Sequence, residues 1–122
     1  MKSLWITHKN KRILYCDYRD FSLSDFEGLE AELEWVAELL QREPEGTVLG
    51  LSDIRGSVAS REVVELFKER ASDTARYVKK QAVVGVTGLK RLFFETIVRV
   101  SGQHARTFDT LEAAKDWLVS EE

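Results

Sequence analysis

The sequence has very little cysteine and proline: one of each, Cys16 and Pro44, in 122 residues. A single cysteine excludes an intrachain disulfide and fits a reducing compartment. Long apolar runs are also missing. None approaches the roughly 20 residues that cross a bilayer. The N-terminus turns polar at Thr7-His8-Lys9-Asn10-Lys11, without the apolar centre of a signal peptide. The location expected from these absences is the cytoplasm. Charge of one sign is lacking as well, since 18 Lys and Arg stand against 21 Asp and Glu, a net charge of −3. A nucleic-acid partner would call for a basic face and is not expected. Lys79-Lys80 and Lys90-Arg91 read as solvated helix ends. The two histidines, His8 and His104, have no second ligand at metal-site spacing, so no metal or cofactor is expected.

What remains is a globular balance of 43% hydrophobic and 32% charged residues. The length suits one domain over residues 1–122. Leu4 to His8 alternates and reads as a strand, Lys9 to Arg12 as a turn, and Ile13 to Arg19 as a second strand of a hairpin. Ser24 with Glu27 forms a capping box. Phe26, Leu29, Leu33, Val36, Ala37 and Leu40 follow on one helical stripe, which ends before Pro44 and Gly46. Thr47 to Ile54 is a strand. Ser60 caps a second helix whose stripe runs from Val63 to Val78, as far as about Lys80. Ala82 to Val86 is a continuous apolar strand. Leu89, Leu92, Phe93, Thr96, Ile97 and Val100 mark a third helix closed by Gly102. Ala105 to Phe108 is a last strand. Asp109 or Thr110 caps a final helix with Leu111, Ala114, Trp117 and Leu118. Alternating strands and helices after a hairpin give an α/β fold: a mixed, mostly parallel sheet of about five strands carrying about four helices.

No strong catalytic signature is present. Gly85-Val86-Thr87-Gly88-Leu89-Lys90 lacks the spacing and the end of a Walker loop. There is no nucleophile elbow, and Cys16 reads as a small buried residue. Asp17, Arg19 and Asp20 read as a strand end and charged loop. The segment from Gly50 to Ser60 is the most informative. It leaves an inner strand and leads into a helix, where ligands gather in open α/β sheets. Asp53, Arg55, Ser57, Ser60 and Thr87 are the candidate docking residues, with Ser57 and Ser60 the candidate phosphorylation sites. Phe94 and Val98, four apart and off the third helix's inward stripe, are a candidate interface.

The chain resembles the STAS domains, the fold of the SpoIIAA anti-sigma-factor antagonists, and above all their SpoIIAA-like bacterial relatives. Thr47-Val48-Leu49-Gly50-Leu51-Ser52 is similar to the inner strand of the family. Phe94 to Gly102 is similar to its third helix, and Thr107 to Leu118 to its last strand and helix, with the Phe-Asp-x-x-x-Glu-Ala-x-x-Trp-Leu pattern. The resemblance implies a SpoIIAA-like α/β fold and a regulatory module that docks on a protein partner. One feature departs from the family. The antagonist phosphoserine stretch Asp-Ser-Ser-Gly is Val58-Ala59-Ser60-Arg61 here, with Ala59 in the phosphoserine place. Relatives that carry lipids or nucleotides make a small-ligand binder the alternative. An enzyme is not expected. A homodimer is open through the outer hairpin strand or through Phe94 and Val98. Convergence of Asp17, Asp53 and Arg55 in a cleft would favour catalysis.

Overall fold

A two-residue turn starts the fold. Lys9 and Asn10 both take positive φ, 50° and 67°, as a hairpin turn matched to strand twist requires. The turn joins β1 (Leu4–His8) to β2 (Lys11–Asp17) in antiparallel register, with His8 opposite Lys11. The computed structural model describes residues 1–22, 25–58, 60–88, 90–102 and 105–121, apart from the side chains of 100 and 101. Ser24, Ala59, Leu89 and His104, each singled out by the sequence, lie outside the described residues.

Three strand–helix–strand crossovers follow. They run through α1 (Phe26–Gln41), β3 (Val48–Asp53), α2 (Arg61–Thr74), β4 (Val78–Val84), α3 (Lys90–Ser101) and β5 (Ala105–Phe108). β2 to β5 pair in parallel, and the sheet order is β1-β2-β3-β4-β5. The result is a five-stranded mixed sheet with four helices, the fourth being α4 (Leu111–Leu118). β1 is an edge strand, as the sequence reading expects.

The sheet feeds two cores, because alternate side chains point to opposite faces. Leu14, Cys16, Tyr18 and Val48 meet α1 and α2 on one face. Ile13, Leu49, Leu51, Ala82 and Val84 meet Ala114, Trp117 and Leu118 of α4 on the other. The caps of α2 and α4 agree with the sequence, whereas the capping box expected for α1 is not borne out: its N-cap is Asp25, with no side-chain cap bond. Ser60 Oγ accepts from Val63 N at 3.2 Å, and Thr110 Oγ accepts from Ala113 N at 3.1 Å. Gly102 takes φ 72° after α3.

Some boundaries need correction: β2 is Lys11–Asp17 and not Ile13 to Arg19, and β4 stops at Val84 and not at Val86. The second helix does not reach Lys80: it ends at Thr74, passes through one 3₁₀ turn at Ala75–Tyr77, and β4 already begins at Val78. The helical spacing of Val78 is coincidental, because backbone pairing of Val78 with Val48 claims it for the sheet.

Candidate functional site

The informative segment straddles the sheet. Gly50, Ser52 and Ile54 point toward the helical face that carries α1, α2 and α3. Leu51 and Asp53 point the other way. The candidate residues therefore divide into two places.

On the α4 face, two neighbouring strands end in an aspartate followed by the same Asp-x-Arg spacing, Asp17-Tyr18-Arg19 leaving β2 and Asp53-Ile54-Arg55 leaving β3. Asp17 and Asp53 are register partners. Each carboxylate is gripped by the arginine two residues on. Arg19 Nε and Nη2 donate to Asp17 at 3.0 and 2.9 Å. Arg55 Nε and Nη2 donate to Asp53 at 2.9 and 2.7 Å. Tyr15 Oη adds a bond to Asp53 Oδ2 at 2.6 Å.

Bonds from Arg19 hold Asp17 below the ordinary carboxylate range, against its burial. Burial alone would push Asp53 up, but the bonds from Arg55 and Tyr15 more than offset it and leave it low. Burial, with the Asp53 bond and charge, raises Tyr15 to about 12. Asp17, Asp53 and Arg55 do converge, then, but as closed ion pairs. Low-pKa carboxylates already holding arginines make poor proton acceptors.

On the opposite face lies a cavity of about 150 Å³, partly open to solvent, between the sheet and helices α2 and α3. Its floor includes the small residues Gly50 and Ser52 of the central strand β3 and Ala105 of the edge strand β5. A Cβ on Gly50 would collide with the Gln81 carboxamide, which crosses above it. Gln81 Nε2 donates to Ser52 Oγ at 2.7 Å. Cys16 shares this floor, and burial pushes its thiol up to about 12. It is a neutral wall group, not a thiolate nucleophile.

The roof includes Phe67 of α2 and Phe93, Phe94, Ile97 and Val98 of α3. The sequence stripe on α3 is therefore rotated from the true one. Leu92, placed inward by the spacing, is 63% exposed. Phe94 and Val98, placed on a separate face, line the cavity.

The rim serines and threonine are tied to backbone. Ser57 Oγ donates to Ile54 O at 2.6 Å, and Ser60 is occupied as the cap of α2. Thr87 is exposed, and its carbonyl accepts from Lys90 N at 3.1 Å where α3 starts. Lys90 lines the cavity and donates through Nζ to Ile54 O at 3.0 Å, its pKa lowered by burial. Sequence reasoning missed Arg70, Gln81 and Lys90. A signal existed for two of them: Arg70 sits at the helical spacing of Val63 and Phe67, and Gln81 adjoins the apolar strand Ala82 to Val86.

A second hollow of about 590 Å³ lies at the other end of the sheet, beside Trp5, Arg12, Glu43 and Lys80. Within it Arg12 pairs with Glu43 at 3.1 Å and Lys80 donates to the carbonyls of Trp117 and Ser120 at 3.0 Å.

This geometry defines a SpoIIAA-like α/β domain. No protein-family model matches the sequence, and no curated protein matches it at significant similarity. Among solved structures, the chain is similar to an uncharacterised protein of the DUF3478 family, with a SpoIIAA-like fold, from Shewanella loihica PV-4. The TM-score is 0.72 at 14% identity, over 95% of this chain and 91% of that one. At that identity the likeness establishes the fold. No helix among the described residues is long and apolar enough to cross a membrane.

Proposed function

We propose that the chain is a non-enzymatic binding module that takes a compact apolar molecule into the cavity under α3. The observation that carries this reading is the cavity itself: a mainly apolar, partly open space at the middle of a sheet, with a few polar groups set into its wall. Such a combination is the usual form of a small-ligand site. Its volume of about 150 Å³ is below the range of drug-sized pockets. An engineered cavity of about that size in another protein accepts benzene. The occupant is therefore about one ring or a short alkyl chain in size. The absence of chemistry is argued from the side chains: the two buried aspartates are held by arginines, and Cys16 is kept neutral.

The test is a titration with neutral benzyl alcohol, followed by protein NMR. Amide shifts are expected to cluster on Phe93 to Val98 and Ala105. They are expected to vanish in Ala71→Leu, which fills the space. No shift in the wild type, or scattered shifts that survive Ala71→Leu, would remove the reading.

A regulatory docking role has one observation in its favour. Val58 is 41% exposed on the rim between Ser57 and Ser60, where the sequence places docking. If the rim binds a protein, Val58→Asp abolishes capture of a defined partner from lysate while leaving the fold intact. An unchanged partner set in that variant sinks the role.

A further inference from the structure

The cavity wall is biased in charge. Its cationic side chains are Arg70 and Lys90, and no acidic residue lines it among the described residues. Yet acids outnumber bases in the chain, 21 to 18. The two cations differ in how well they are satisfied. Lys90 Nζ donates to Ile54 O. Arg70 Nη2 reaches Glu34 Oε2 at 3.2 Å, a carboxylate 58% exposed to solvent. Arg70 Nε is buried and has no acceptor, the one buried side-chain nitrogen or oxygen so placed among the described residues.

An arginine Nε always carries its proton. Burying that donor unpaired is costly, and such a group in a native fold calls for a partner. The other polar groups of the wall are neutral, with Gln81 and Ser52 bonded to each other. Most of the remaining wall is apolar. The missing acceptor therefore belongs on an apolar body of about ring size.

We infer, resting on the cavity being a binding site, that its ligand is a small apolar monocarboxylate whose carboxylate accepts from Arg70 Nε. An arginine facing a carboxylate makes a charge-assisted bond. Glu34, at the solvent end of the guanidinium, offsets part of its charge. The acid-free wall removes the repulsion that would otherwise exclude an anion.

The experiment compares matched probes on the full chain at pH 7: benzoate against benzyl alcohol, and hexanoate against 1-hexanol, by isothermal titration. Wild type is expected to prefer each carboxylate by about tenfold or more, the scale of a bond to a charged group. Arg70→Met keeps an apolar stem and removes the donors. It is expected to retain alcohol affinity and lose the preference. Glu34→Gln, on an exposed partner, gives an independent arm in which carboxylate affinity is expected to rise. Equal affinities in wild type, a preference that survives Arg70→Met, or no rise in Glu34→Gln would overturn the carboxylate assignment while leaving the cavity reading in place. That outcome would mean that water or a neutral carbonyl satisfies Nε. Failure of all four probes to bind wild type would instead overturn the cavity reading itself.

Discussion

Asp53 has no exposure to solvent and is still held ionised, because Arg55 and Tyr15 supply four bonds to its two oxygens. Removing it strands the Tyr15 hydroxyl and the Arg55 fork. Asp53→Ala is expected to cost about 1–3 kcal/mol, held to that range because the Arg55 side chain is half exposed and solvent screens it. Equilibrium urea unfolding would measure this. The sign of the pH dependence follows from the lowered pKa values of Asp17 and Asp53. A carboxylate lower in the folded than in the unfolded chain adds stability that is complete above the unfolded value, about 3.9. That stability is lost as pH falls through the lower folded value. Thermal melts from pH 6 to pH 2 are expected to show a loss of stability below about pH 4 that is smaller in Asp53→Asn. The helix cap at Ser60 is simpler: Ser60→Ala is expected to cost about 1 kcal/mol.

Among the elements, α3 is the one that makes the cavity. It packs mainly on α2, and the sheet beneath it offers only small side chains at Gly50, Ser52 and Ala105. The link from β4 into α3 is set by Gly85, whose φ is 101°. A Cβ there would stand 2.6 Å from the backbone nitrogen of Arg55. Gly85→Ala is expected to destabilise by about 1–3 kcal/mol from backbone strain alone. It is also expected to displace the Asp53–Arg55 strand end, which a drop in melting temperature and shifted Arg55 side-chain NMR signals would report. Such a junction was not legible in the sequence beyond a strand ending in a tight turn. The glycine could be read there, but not the strand end it lies against. Likewise, the Phe94 and Val98 spacing was visible as an apolar pair. Which way it faced depended on the rotation of α3 against α2.

For the whole molecule, the cavity is a cost. The apolar side chains around its 150 Å³ forgo packing contacts that a filled core would make. Filling part of it in Ala71→Leu is expected to raise the melting temperature while abolishing ligand binding, the opposite trends that a retained site produces. A ligand at 100 times its dissociation constant is expected to add about 2.7 kcal/mol, read by calorimetry as a rise in the wild-type transition that is absent from the filled variant.

The order of the elements, the caps of α2 and α4, the hairpin and the α/β class were written into local periodicity and turn chemistry. Those features depend on residues a few positions apart, and a single sequence displays them. The end of α2 could not be read that way, since the pairing of Val78 with Val48 decided it. Nor could the closure of two Asp-x-Arg triplets into adjacent ion pairs, or the burial of an unpaired Arg70 Nε beside an acid-free cavity. Each of these joins residues tens of positions apart across strand register and helix packing. Only the assembled sheet brings them within bonding distance.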